Sequence, residues 1–124
     1  MLLQAHITFR KNHRNSIETW SKPGGQTYTL GSVMNYDFTS AAAQSYGSNM
    51  IQLNMSPPRF GIYNGDVNQN GFTDLTDEIL VYNDASAFVS GYVRTDINGD
   101  NITDLTDILF TYNNSSGFVS VVRP

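Results

Sequence analysis

The sequence predicts an α+β protein in which a portion of short antiparallel strands precedes two loop–helix repeats. Up to residue 62, apolar residues alternate with polar ones between turn-forming segments, which is typical of strands. Beyond residue 62, a polar loop followed by apolar residues at helical spacing occurs twice, thirty residues apart. We therefore predict a β-rich region over residues 1–62 and a repeat domain over residues 63–124.

The strands of the first region are predicted from apolar residues at period two. The alternation covers residues 7–9, 28–30, 34–38 and 51–55, with breakers at "KPGGQ", "LGS" and "SPPRF". The segment "TSAAAQSYG" (39–47) is a candidate for one helical turn between strands. Four or five such strands make a thin sheet, whereas a β-sandwich needs about seven. We expect either that the sheet rests on the helices or that part of this domain lies outside the chain.

The second region is an internal duplication. Residues 66–94 and 96–124 align without a gap and are identical at 13 of 29 positions, including an unbroken Thr-Asp-Leu-Thr-Asp run. Each helix is expected to bury one apolar face and to end at Asn83-Asp84 or Asn113-Asn114. The residues of these faces are Leu75, Ile79, Leu80 and Tyr82, and Leu105, Ile108, Leu109 and Tyr112. One unit of about thirty residues cannot bury its face alone, so we expect the copies to pack on each other about a pseudo-twofold axis.

The loops carry oxygen-bearing side chains at positions 1, 3, 5, 9 and 12, which is the ligand spacing of an EF-hand. Position 7 supplies a backbone carbonyl, and position 6 must bend with a positive φ, which Gly71 allows and Asn101 tolerates. The predicted ligands of the first loop are Asp66, Asn68, Asn70, Phe72, Asp74 and Asp77. Those of the second loop are Asp96, Asn98, Asp100, Ile102, Asp104 and Asp107.

Ligation by oxygen alone selects a hard cation, and a long flexible loop favours Ca²⁺ over the strictly octahedral Mg²⁺. We therefore predict two Ca²⁺ ions. The second loop has four carboxylates against three in the first, which predicts tighter binding there. Asp74 and Asp104 either bind through water or only cap the helices. The competing interpretation, solvated loops with helix caps, is disfavoured because every ligand position is repeated.

The repeat domain resembles the type I dockerin module, which has two calcium loops opening "DVN" or "DIN" and ending in Asp. The resemblance covers residues 65 to about 122. It implies an extracellular, noncatalytic, calcium-stabilised module that docks another protein, such as a cohesin, through loop positions 10 and 11. Here these positions hold Leu75, Thr76, Leu105 and Thr106, of which the Thr matches the family pattern and the Leu does not. Docking would also require an apolar patch on the helices around Leu75, Leu105, Val81 and Phe110.

A second, less specific resemblance covers residues 6–71. The segments "NHRNSIETWS", "NYDFTSAAAQSYGSNM" and "FGIYNGDVNQNG" are similar to C-terminal regions of large secreted proteins of Bacteroidetes-type bacteria, where the last strands of a β-sandwich lead into such repeats. This resemblance implies that the chain is the tail of a longer extracellular or cell-surface protein whose signal peptide lies elsewhere. A neighbouring β-domain is then an alternative partner to a cohesin-like protein.

Composition excludes several function classes. Residues 61–124 hold nine acids and two basic residues, so this half repels phosphate backbones and nucleic-acid binding is not expected. No apolar run is long enough for membrane insertion, and the absence of cysteine excludes thiolate sites. Neither His6 and His13 nor the pair Glu18 and Asp37 predicts a catalytic constellation, so we expect no enzyme. The rival function is a carbohydrate-binding accessory module that uses Trp20, Tyr28, Tyr36, Tyr46 and Tyr63.

Overall fold

The computed structural model describes residues 4–124 and has a mixed α+β fold of short antiparallel strands and two α-helices. The chain forms two compact units. The first contains the residues through Lys11, Thr19–Ile62 and Val122–Pro124, and the second contains Asn12–Glu18 and Tyr63–Val121. The segment Asn12–Glu18, which the sequence placed with the β-rich region, thus belongs to the unit of the repeats. Within residues 4–124, no helix has the length and apolar content needed to cross a bilayer.

The described residues of the first unit form three two-stranded antiparallel ladders. Strand β1 (Gln4–Ile7) pairs with β4 (Gln26–Thr29), β2 (Arg10–Lys11) with β3 (Thr19–Trp20), and β5 (Ile51–Met55) with β6 (Pro58–Gly61). Two short 3₁₀ turns, Ala42–Gln44 and Tyr46–Ser48, lie in the segment where one helical turn was predicted. The expected single thin sheet is wrong for the described residues, because the strands pair only in twos and no ladder joins one pair to another.

Two local predictions in this unit are also wrong. Residues 34–38 alternate like a strand but form none, since Tyr36 packs its ring against Phe9 and Phe38 and donates its hydroxyl hydrogen to the Gln44 carbonyl. Side-chain packing replaces ladder pairing there. The "SPPRF" segment was predicted to be a breaker, but its last three residues belong to β6, which begins at Pro58 and is an edge strand of its two-stranded ladder. Proline is compatible with an edge position because it donates no ladder hydrogen bond.

The helices of the second unit are α1 (Leu75–Ser86) and α2 (Leu105–Ser116). Each starts at a capping box, in which Asp74 pairs with Asp77 and Asp104 pairs with Asp107. The predicted ends at Asn83-Asp84 and Asn113-Asn114 are wrong by two to three residues. Asn and Asp lower helix propensity only modestly, so they do not end a helix that tertiary packing supports.

The helix face predicted to be buried is largely exposed. Leu75 is 65% exposed, Tyr82 61% and Leu105 67%, whereas only Asp77 and Val81 of α1 are buried. In α2 the buried residues are Asp107 and Thr111, at the equivalent positions. The leucines at helical spacing face outward, because the inward face of each helix is the one that carries the position 12 carboxylate. Of the predicted apolar set, Ile108 does pack on the core, which consists of Val67, Val81 and Ile97.

The two repeats pack on each other, as predicted, but they do so through matching backbone hydrogen bonds that the sequence did not predict. The Thr73 N–H donates to the Val119 carbonyl at 3.0 Å, and the Thr103 N–H donates to the Val89 carbonyl at 2.9 Å. A bridge joins Phe72 to Ser120 and its equivalent joins Ile102 to Ser90. Each loop is therefore held by the tail of the other repeat.

The residue before each loop differs between the repeats. Gly65 has a φ of +101°, and a Cβ there would lie 2.9 Å from Thr73 Cγ2 and 3.4 Å from Thr111 Cα. Its counterpart Thr95 is buried, donates its hydroxyl hydrogen to Asp84 Oδ2 at 2.6 Å and lies 3.1 Å from the Thr103 hydroxyl. The entrance to the first loop is thus closed by close packing and that of the second by hydrogen bonds.

Candidate metal centre

Two buried carboxylates organise the first loop. Asp66 accepts from Asn70 N at 3.1 Å through Oδ1 and from Gly71 N at 3.0 Å through Oδ2. Asp77, from the first turn of α1, accepts from Val67 N and Asn68 N through Oδ1 and from Asp74 N through Oδ2. The loop therefore folds around the side chains of its first and twelfth positions.

The second loop repeats this arrangement. Asp96 Oδ1 accepts from Gly99 N and Asp100 N, and Asp96 Oδ2 accepts from Asn101 N at 2.8 Å. Asp107 Oδ1 accepts from Ile97 N at 2.7 Å and Asn98 N at 3.1 Å, and its Oδ2 accepts from Asp104 N at 2.8 Å. Both loops thus hold a pair of buried carboxylates in one backbone cage.

Positions 3 and 5 curl over the loop in the same way in both repeats. Asn68 Oδ1 accepts from Asn70 N, and Asn98 Oδ1 accepts from Asp100 N, each at 3.0 Å. The position 5 side chain then accepts from position 7, Phe72 N in the first loop. In both loops, side-chain oxygens of positions 1 and 3 therefore accept from the same position 5 N–H.

Three carboxylates meet in the second loop. Single oxygens of Asp96, Asp100 and Asp107 lie within 4.8 Å of one another, and this is a grouping able to hold a metal ion within the described part of the chain. The donor set is oxygen only, which fits a hard cation such as Ca²⁺. In the first loop Asn70 replaces the third carboxylate, so that loop offers an oxygen ligand at the same position with less charge.

Burial disfavours the charged form of both carboxylates in the first loop. Burial raises the pKa of Asp66, and repulsion from Asp77 raises it further, against the hydrogen bonds from Gly71 and other backbone N–H groups. Burial likewise raises the pKa of Asp77, with backbone N–H groups opposing the shift and Asp74 adding repulsion. A cation between these carboxylates would offset both the desolvation and the repulsion.

The predicted bend at position 6 is confirmed, since φ is +91° at Gly71 and +76° at Asn101. A second bend at position 4 was missed: φ is +59° at Gln69 and +80° at Gly99. The glycine in the second loop was a usable signal for this bend, but a glutamine in the first loop gave none, because glutamine rarely adopts a positive φ.

The remaining predicted site residues have clear positions. Asp74 and Asp104 cap their helices by accepting from Thr76 N and Thr106 N at 2.9 Å. Phe72 and Ile102 expose their side chains. The four residues suggested for a partner, Leu75, Thr76, Leu105 and Thr106, are all exposed.

The apolar patch expected on the helices needs one correction. Val81 is completely buried in the core, because it follows Asp77 by one helical turn on the inward face. Phe110 remains 41% exposed.

The five aromatic residues considered for sugar binding, Trp20, Tyr28, Tyr36, Tyr46 and Tyr63, are all partly buried. Tyr36 packs against two rings and accepts a hydrogen bond from Lys22 N. The Trp20 ring lies 5.6 Å from the Arg10 guanidinium. A stacking platform for a sugar needs exposed ring faces, so this arrangement does not favour that function.

Comparison with known proteins identifies no relative: no family model, curated protein or solved structure matches the chain.

Proposed function

We propose that the repeat unit is a noncatalytic calcium-binding module of the dockerin type, which holds one Ca²⁺ in each loop. The observation that carries this proposal is the duplicated cage, in which Asp66 and Asp77, and again Asp96 and Asp107, are buried side by side within one loop. Burying paired carboxylates is unfavourable unless a cation or hydrogen bonds compensate for the lost solvation. The EF-hand spacing of the surrounding oxygens indicates the cation.

The proposed role is protein attachment or structural stabilisation in an extracellular or cell-surface protein. Exposed apolar side chains at the start of each helix, Leu75 and Leu105, support attachment, because they sit at the positions through which dockerin-like modules dock. A cohesin-like protein or a neighbouring β-domain is the proposed partner. An extracellular location suits loops of modest affinity, since they fill at the millimolar calcium found outside cells.

Calcium titration of the chelator-treated protein tests the proposal. We expect circular dichroism to show a gain of helix and thermal melting to show a rise in Tm on the order of 10 °C, since a site at 100 times its Kd adds about 2.7 kcal/mol. The control is an Asp66→Ala, Asp96→Ala double variant, which should not respond to calcium. The proposal is wrong if calcium changes neither the helicity nor the Tm of the unmodified chain.

A further inference from the structure

The segment Asn12–Glu18 contacts the entrance of both loops within the second unit. Its backbone pairs with the residues that lead into the first loop: Ile17 N donates to the Tyr63 carbonyl at 2.8 Å, and Gly65 N donates to the Asn15 carbonyl at 2.7 Å. These bonds flank a bridge between Ser16 and Asn64. The first loop therefore starts from a short two-stranded pairing with this segment.

The side chain of Asn15 reaches the entrance of the second loop. Its Nδ2 donates to the Asp96 carbonyl at 2.9 Å and to the Arg94 carbonyl at 3.1 Å, while its Oδ1 accepts from His13 Nδ1 at 3.0 Å. Asn15 is only 1% exposed. Both amide hydrogens of Asn15 thus fix backbone carbonyls at the start of the second loop, one of them on the residue that provides the position 1 carboxylate.

The neighbouring Arg14 also contacts this stretch. Its Nε donates to the Val93 carbonyl at 3.3 Å, and its guanidinium lies 4.2 Å from the centre of the Tyr92 ring. The segment is thereby attached to residues 92–96 at three backbone carbonyls and one aromatic ring, which leaves Asn15 little freedom to turn away.

The first loop makes the equivalent contact with its own side chain. Gln69, at position 4, donates from Nε2 to the Asp66 carbonyl at 2.6 Å and to the Ser16 carbonyl at 3.2 Å. The position 4 residue of the second loop is Gly99, which has no side chain. Each position 1 carbonyl therefore receives a side-chain amide, from within the loop in the first case and from Asn15 in the second.

We propose that Asn15 is a positioning residue of the second calcium loop, which supplies from outside the repeats the amide group that Gln69 supplies within the first. This inference rests on the proposed function. By holding the carbonyl of Asp96, Asn15 restricts the backbone from which the Asp96 carboxylate reaches the ion. Mutation of a residue that orients a metal ligand typically lowers the metal affinity by 10- to 100-fold.

The test is a calcium titration followed by NMR, in which each loop has its own reporter. The Gly71 N–H donates to Asp66 and the Asn101 N–H donates to Asp96, so these two amides report the first and second loops separately. Asn15→Ala should weaken the transition seen at Asn101 about tenfold and that at Gly71 less than about threefold. The matched control is Asn12→Ala, which removes an exposed asparagine of the same segment and should change neither transition.

A rescue variant separates positioning from general support of the fold. Gly99→Gln in the Asn15→Ala background places at position 4 the residue that the first loop has there, and a Cβ at Gly99 has no neighbour within 4 Å. It should restore second-loop affinity by about threefold or more, whereas in the unmodified chain it should bring no gain. If Asn15→Ala does not fold, Asn15→Leu, which keeps the branching of the side chain but removes its amide, is titrated in the same way.

The outcomes are distinct. Equal weakening at both reporters, or unchanged affinity at Asn101, overturns the inference and leaves the proposed function intact. Absence of any calcium response in the unmodified chain overturns both.

Discussion

In the first loop the backbone has positive φ at Gln69 and Gly71, and in the second at Gly99 and Asn101. Each loop thus places one glycine and one larger residue at its two bends, but in opposite order. The loops also differ in charge, because Asn70 stands where the second loop has a carboxylate. The two loops therefore share one backbone conformation but differ in which bend carries the larger residue and in the number of carboxylates. Each loop can serve as a control for the other.

The largest effect on stability is expected from removing the carboxylate at position 12 of either loop. Asp77→Ala and Asp107→Ala should each lower the free energy of unfolding by about 3 kcal/mol or more without calcium, because three backbone N–H groups lose their acceptor. With calcium present, Asp107→Ala should lower the free energy of unfolding by more than Asp77→Ala does. Urea unfolding with and without chelator measures both. Glu78→Ala, which removes a carboxylate from the same turn of α1, should cost far less; a comparable loss would contradict this role.

The next effect concerns the bend at position 6. Gly71→Ala should lower the free energy of unfolding by about 2 kcal/mol, because φ is +91° and the new Cβ would lie 2.9 Å from Val121 Cγ1. Gly99→Ala is the matched control: φ is +80°, but nothing lies within 4 Å, so about 1 kcal/mol is expected. Thermal and urea unfolding of the two variants compare them. Equal losses would show that contact with Val121 does not matter.

A smaller effect separates the calcium affinities of the loops. In calorimetry, the site left in Asp66→Ala, which is the second loop, should bind more tightly than the site left in Asp96→Ala by about tenfold, because ligand charge tunes affinity. Asn70→Asp, which gives the first loop a carboxylate at position 5, should reduce this difference in calcium affinity. Equal or reversed affinities of the single-site variants would refute the ranking.

The smallest expected effect comes from exchanging the bend residues. Asn101→Gly should raise the free energy of unfolding by about 0.5 kcal/mol, since Gly adopts a positive φ at less cost than Asn. Gly71→Asn should lower it by a similar or larger amount because of Val121. Urea unfolding in chelator isolates the backbone contribution. A destabilised Asn101→Gly variant would indicate that the Asn101 side chain contributes something that the bend alone does not explain.

What the sequence predicted well is local. Alternating apolar residues and the two loop–helix repeats predicted the mixed α+β class, and the loop pattern predicted the bend at position 6, because these depend on neighbouring residues. The buried helix face was predicted wrongly, since counting apolar residues at helical spacing assumes that polar side chains face solvent. Here Asp77 and Asp107 occupy the inward face. The contact of Asn15 with Asp96 joins residues 81 positions apart, and no local pattern reports such a pairing.

The entrance residues Gly65 and Thr95 are each suited to their own position. A threonine at position 65 would have to adopt a φ of +101°, and its Cβ would press on Thr73. A glycine at position 95 would leave Asp84 without the hydroxyl from which it now accepts. The two halves of the duplication therefore share a pattern, yet exchanging these two residues would strain one entrance and remove a hydrogen bond from the other.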